Sequence, residues 1–173
     1  MSALDASPLS RPVRVDPLPR DGLDVTVEAN ADEREKLAAF NDLLGLSSLK
    51  ATFQLHPRAK GEVRVVGRLE ADVVQSCVVT LDPVPAHIDA PITVDFAPEV
   101  NEQDFADDED APEPIVDGMI DLGRIAAEFL TLNLDPYPRK EGAVFEAPTD
   151  RDDEAPSPFS ALANVKKSDG SSG

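Results

Sequence analysis

The chain has 173 residues, a formal net charge of -18 at pH 7, one cysteine, one tyrosine and no tryptophan. That length allows one ordinary domain with tails, able to bury a core without covalent staples. A lone cysteine excludes an intramolecular disulfide and a multi-cysteine zinc site, and no apolar run approaches the roughly 20 residues of a membrane helix. With no charged-then-apolar signal pattern at the N-terminus, a cytoplasmic bacterial protein with no membrane contact is expected.

Residues 1–10 lack periodicity and read as a disordered lead-in to a single body spanning residues 11–146. Pro12 to Val15 form an edge strand between prolines, and Asp21-Gly22 marks a turn. Val25, Val27 and Ala29 alternate with polar residues as a second strand. Asn30 with Glu33 is a capping box, opening a helix from Asp32 to Leu44 whose apolar stripe is Leu37, Phe40 and Leu44, with Gly45 as its stop. The period then returns to two at Leu49, Ala51, Phe53 and Leu55. Pro57 to Gly61 is a turn.

Glu62 to Leu81 alternates at period two, its odd positions being Val63, Val65, Gly67, Leu69, Ala71, Val73, Gln75, Cys77, Val79 and Leu81, mostly apolar. At roughly 3.3 Å per residue such a run would reach about 66 Å, against a radius of gyration near ~14 Å for a domain of this size. The strand must therefore bend at Gly67 or coil around a barrel-like sheet. Ile88, Ala90, Ile92, Val94 and Phe96 supply the next strand, completing an antiparallel meander with one wet and one dry face. Glu99 to Asp117 holds nine acidic residues and no basic one, so residues 99–114 read as a mobile acidic loop, followed by a short strand at Ile115 and Val116. Asp121 caps a second helix with the stripe Leu122, Ile125, Ala126, Phe129 and Leu132, ended by Asp135-Pro136. Residues 147–173 form a flexible tail carrying a short amphipathic segment at 158–167. The fold class is α+β: a strongly curved antiparallel sheet, or partial barrel, packed by two helices.

Four groups of residues invite a functional reading. Cys77 with His56 and His87 is the one set able to support nucleophilic catalysis, but Cys77 shares the dry phase of its strand while both histidines take the wet phase of theirs. A buried, unreactive thiol and no catalytic residue are expected. Arg58, Lys60, Arg64 and Arg68 form a basic cluster on a turn and a wet strand face, a candidate RNA-phosphate surface without the interleaved aromatics of a base-stacking platform. Phe159, Leu162 and Val165 recur along the tail segment as a candidate partner-docking stripe. Asp104, Asp107, Asp108, Glu109 and Asp110 carry hard oxygen ligands but lack EF-hand spacing, so no metal and no cofactor is expected.

Cys77-Val78-Val79-Thr80-Leu81 followed by Pro83, the Asp121-Leu122 helix start, Leu134-Asp135-Pro136-Tyr137-Pro138-Arg139 and Gly142-Ala143-Val144-Phe145 together resemble the YceD family of large ribosomal RNA subunit accumulation proteins. The resemblance covers roughly residues 20 to 167, including the tail segment. It implies a non-enzymatic factor in accumulation or processing of 23S ribosomal RNA and in large-subunit assembly, with ribosomal RNA or large-subunit ribosomal proteins as partners. Many members carry Cys-x-x-Cys where this chain has Cys77 to Thr80, and Thr80 replaces the second cysteine, so a metal does not carry over. The residues themselves equally support an acidic adaptor that docks a protein through its tail and acidic loop without touching RNA.

Overall fold

Alternation at period two produces three long strands, and their register sets the core. The computed structural model describes residues 7–98 and 111–144. In chain order the elements are β1 (Pro12–Arg14), β2 (Leu23–Glu28), α1 (Ala31–Phe40), β3 (Gly45–Pro57), β4 (Val63–Ser76), β5 (Pro83–Ala97), β6 (Glu113–Pro114), β7 (Met119–Asp121) and α2 (Leu122–Leu132). One five-stranded sheet has the order β2-β3-β4-β5-β6, and β1 pairs with β7 in a separate two-stranded sheet. The larger sheet is open, with β2 and β6 at its edges, and does not close into a barrel. It is also mixed, because β6 runs parallel to the end of β5.

Across the dry face, large side chains meet small ones in rows. Leu49 pairs with Ala71 and then Ile88; Ala51 with Leu69 and Ala90; Phe53 with Gly67 and Ile92. Such volume matching lets one layer interdigitate without voids. Gly67 is needed for its missing side chain: a Cβ there would collide with the Thr52 carbonyl and lie 3.1 Å from the Phe53 ring. On β3 a bulge between Leu46 and Ser48 shifts the phase, so Leu46 is buried alongside the odd-numbered core residues. β5 carries Pro83, Pro85 and Pro91, all in one phase, while Ala97 in that same phase accepts from Ile115 of the β6 side. The prolines therefore place their missing N–H groups on the edge facing away from β4, where they blunt strand-to-strand association.

Several elements end elsewhere than their patterns predict. α1 has the expected capping box, Asn30 accepting from the Glu33 amide and Glu33 from the Asn30 amide, but it stops at Phe40. Asp42, at φ 53, takes the left-handed position expected of Gly45, which instead opens β3. Only Leu37 of the α1 stripe is buried; Phe40 and Leu44 are exposed. On α2 the buried line is Leu122, Ile125, Ala126, Ala127 and Leu130, leaving Leu132 outside. β4 ends at Ser76 rather than Leu81, because Cys77 turns and donates its N–H to the Asp82 carbonyl at 2.8 Å. The acidic loop is shorter than expected at its C-terminal end: Glu113 and Pro114 are strand, and Val116 forms a bridge to Met119 in place of a strand with Ile115. Residues 99–110, with the acidic cluster at 104–110, lie outside the described residues.

The expected disordered lead-in does not extend to residue 10. Leu9 is fully buried, and the chain after it is tied to the start of α2. Asp121 accepts from Ser10 Oγ at 2.6 Å and from the Arg11 amide at 2.6 Å, while also capping α2 through the amides of Gly123 and Arg124. Leu122 donates back to the Arg11 carbonyl. The backbone crosses so closely at Gly123 that a Cβ would stand 2.7 Å from the Arg11 nitrogen. Arg11 then grips Glu33 of the α1 capping box with both terminal nitrogens, at 2.7 and 2.9 Å, and holds its carboxyl below the usual range. One segment thus joins both helix N-termini. The described residues up to Ala143 form one compact unit, and no described helix is long and apolar enough to cross a membrane.

Asp121→Ala removes a helix cap and strands the Arg11 amide, so it is expected to lower stability by about 2 kcal/mol. Urea unfolding measures this, and a loss below about 0.5 kcal/mol, the scale of a neutral surface change, would show that the tie is dispensable.

Candidate functional site

On its wet face β4 presents Arg64, Arg68, Glu70 and Asp72 to a facing row on β5. Arg64 lies opposite Asp95 and binds it twice, Nε donating to Oδ1 at 2.7 Å and Nη2 to Oδ2 at 2.6 Å. Arg68 reaches diagonally to Asp89. Each arginine holds its carboxylate below the ordinary range and is itself raised by it. The cluster of four basic residues is therefore divided. Arg58 and Lys60 sit at the β3–β4 turn, with Lys60 at φ 60, and neither forms an ion pair among the described residues. Arg58 borders a cleft with Glu62, Arg64 and Asp95. A phosphate approaching β4 would have to displace Asp95 or Asp89 from arginines that already have good partners.

Farther along the same face, Asp72 accepts from Ser48 Oγ at 2.7 Å and pairs with His87 Nδ1 at 2.7 Å. The Ser48 hydroxyl and then His87 hold Asp72 below its ordinary range, and Asp72 raises His87 above its ordinary 6.5. His87 is thus committed to a cross-strand pair. His56 stands opposite Arg64 near the other end of β3, so neither imidazole hydrogen-bonds Cys77.

Cys77 is fully buried, at the first position of the β4–β5 turn. Its sulfur accepts from the Lys140 amide at 3.4 Å. The Lys140 N–H, followed by the hydroxyl and amide of Thr80, stabilises the thiolate and pulls the thiol down to about 6 from 9.0. Burial agrees with the phase of the residue; the lowered thiol does not follow from that phase, because its donors come from a turn and from a segment 63 positions away. A low thiol value supplies a nucleophile only where a reactant can enter, and here the chain covers it.

The docking stripe Phe159, Leu162 and Val165 lies outside the described residues. What sequence reasoning missed is a set of apolar side chains that remain exposed at the last residues of α1 and α2 and just before β3, namely Phe40, Leu132 and Leu44.

Two titrations check this geometry. His87 is expected to titrate above 6.5 by nuclear magnetic resonance and to return toward that value in Asp72→Asn. Its raised value contributes stability that is complete below 6.5 and lost as pH rises through the folded value, while the lowered Asp72 contributes above 3.8 and loses its share as pH falls through its own folded value. An unshifted His87 would contradict the pair. For Cys77, thiolate absorbance is expected to appear near pH 6 with alkylation far slower than for free cysteine; its contribution to stability is complete above 9.0 and lost as pH falls through about 6. Alkylation at the free-thiol rate would contradict its burial.

Neither a curated protein nor a solved structure matches the chain. A family model does, over residues 65–166, the one described as large ribosomal RNA subunit accumulation protein YceD. That match takes in most of β4, all of β5 to α2, the Cys77 turn and the Pro138 to Lys140 segment that closes over it. The chain belongs to the YceD family.

Proposed function

We propose that this chain supports accumulation of the large-subunit ribosomal RNA in the cytoplasm as a non-enzymatic factor, and that it does so by holding a protein partner. Family membership supports the role in ribosomal RNA accumulation. The protein-partner part rests on the pairing of Arg64 with Asp95 and Arg68 with Asp89, which cancels the strand portion of the basic cluster. Counterion release drives non-specific RNA binding through several uncompensated cations, and Arg58 and Lys60 alone provide few. The net charge of -18 opposes a polyanion further. Catalysis finds little support at Cys77, whose sulfur meets backbone amides and Thr80 rather than a base.

Deletion of the gene is expected to lower the ratio of large- to small-subunit ribosomal RNA, and the Arg64→Gln/Arg68→Gln variant is expected to restore it as well as the parent chain does. Affinity capture should retain the associated proteins after nuclease treatment. Loss of rescue by the arginine variant, together with loss of all association after nuclease, would favour direct RNA contact instead. An unchanged ratio in the deletion strain would refute the assigned role.

A further inference from the structure

Six of the large apolar side chains that stay exposed lie on segments that meet where β3 begins, β4 ends and β5 begins. Phe40, Leu44, Val78, Leu81, Leu132 and Tyr137 are 48–76% exposed. Hydrogen bonds fasten the segments that carry them into one surface. Thr131 Oγ1 donates to Asn41 Oδ1 at 2.8 Å, joining the end of α2 to the end of α1. The Leu44 amide donates to the Val74 carbonyl at 2.8 Å, and Gln75 Nε2 to the Asp135 carbonyl at 2.9 Å. The Val78 amide donates to the Pro138 carbonyl at 2.9 Å, and Lys140 Nζ binds Asp82. Leu81 stands in the left-handed region at φ 64, a conformation unfavourable for a bulky residue, with its side chain outward. Apolar groups held outward on a fastened framework and rimmed by polar residues mark an interaction surface.

The rim selects the occupant. These segments carry the carboxylates Asp42, Asp82, Asp135 and Glu141 against the cations Arg139 and Lys140. A second copy would bring the same acidic excess to the contact, and a nucleic acid would bring phosphates to carboxylates; both are repelled. We infer that this end of the sheet is a docking surface for a lysine- and arginine-rich protein segment bearing aliphatic or aromatic anchors. The anchors cover the six apolar side chains while the cations meet the rim. This deepens the protein-partner reading and rests on it for its connection to ribosomal RNA.

The molecule contains its own reporter. Tyr137 is the only tyrosine and there is no tryptophan, so ultraviolet-excited fluorescence of the whole protein reports this surface. The probe is a short amphipathic peptide of leucine and lysine without aromatic residues. Titration into the full chain is expected to give a saturable change in Tyr137 emission. The same peptide with glutamate for lysine, or with serine for leucine, is expected to give none. Phe40→Ser/Leu81→Ser should weaken binding by at least about tenfold, as expected for losing two buried apolar anchors, whereas Val116→Ser, on the other side of the fold, should leave it unchanged. Because all three positions are exposed, the variants are expected to keep the parent's unfolding transition. Equal response to the glutamate peptide, no saturable signal, or full binding by the double variant would overturn the proposal. So would concentration-dependent self-association that abolishes peptide binding. A double variant that loses the peptide yet restores ribosomal RNA levels would leave the docking surface standing and refute its use in that role.

Discussion

The Asp121 carboxylate is the constraint on which the arrangement depends. It receives four donors, two from the α2 backbone and two from Ser10 and Arg11, and so converts a helix cap into a long-range clamp. The Arg11 guanidinium extends that clamp to the capping box of α1. Both helices are then oriented over the dry face, where Leu9, Leu37, Leu122 and Leu130 are fully buried against the rows of β3, β4 and β5. Helix dipoles favour a carboxylate at each N-terminus, and here one is shared between two chain segments.

The two faces of the sheet have different consequences. Inside, volume matching fixes register, with Gly67 opposite Phe53 as the position least able to change. Outside, charge matching does the same work in water: Arg64 with Asp95, Arg68 with Asp89 and His87 with Asp72 all cross from β4 to β5. A face built this way has spent its arginines on its own neighbours. The apolar end is the contrasting case, since nothing in the described chain covers it.

Much of this was legible because the relevant information is local. Alternation disclosed β3, β4 and β5 and their dry phases, and the Asn30–Glu33 and Asp121 caps were readable from residue type and spacing. Burial of Leu9 was not, because its segment has no period and is tied down at Arg11 by Asp121, 110 positions farther on. The end of β4 was hidden since Cys77, Val79 and Leu81 continue the alternation through a turn. The two-residue β6 leaves no pattern, and its parallel pairing is decided by tertiary placement. The arginine pairs were within reach: Arg64, Arg68, Asp89 and Asp95 all lie in wet phases of consecutive strands, and only the hairpin register was lacking. Exposure of Phe40, Leu44 and Leu132 could not be seen, because periodicity identifies an apolar stripe without saying that anything covers it.

The central claim, that the chain acts on ribosomal RNA levels through protein contact and not through phosphate contact, is tested most directly by the affinity of the purified chain for large-subunit ribosomal RNA over a salt series. The account predicts binding no tighter than the ~10⁻⁴ M that marks weak non-specific association at physiological salt. Tight binding with a steep salt dependence, abolished by replacing Arg58 and Lys60, would contradict it.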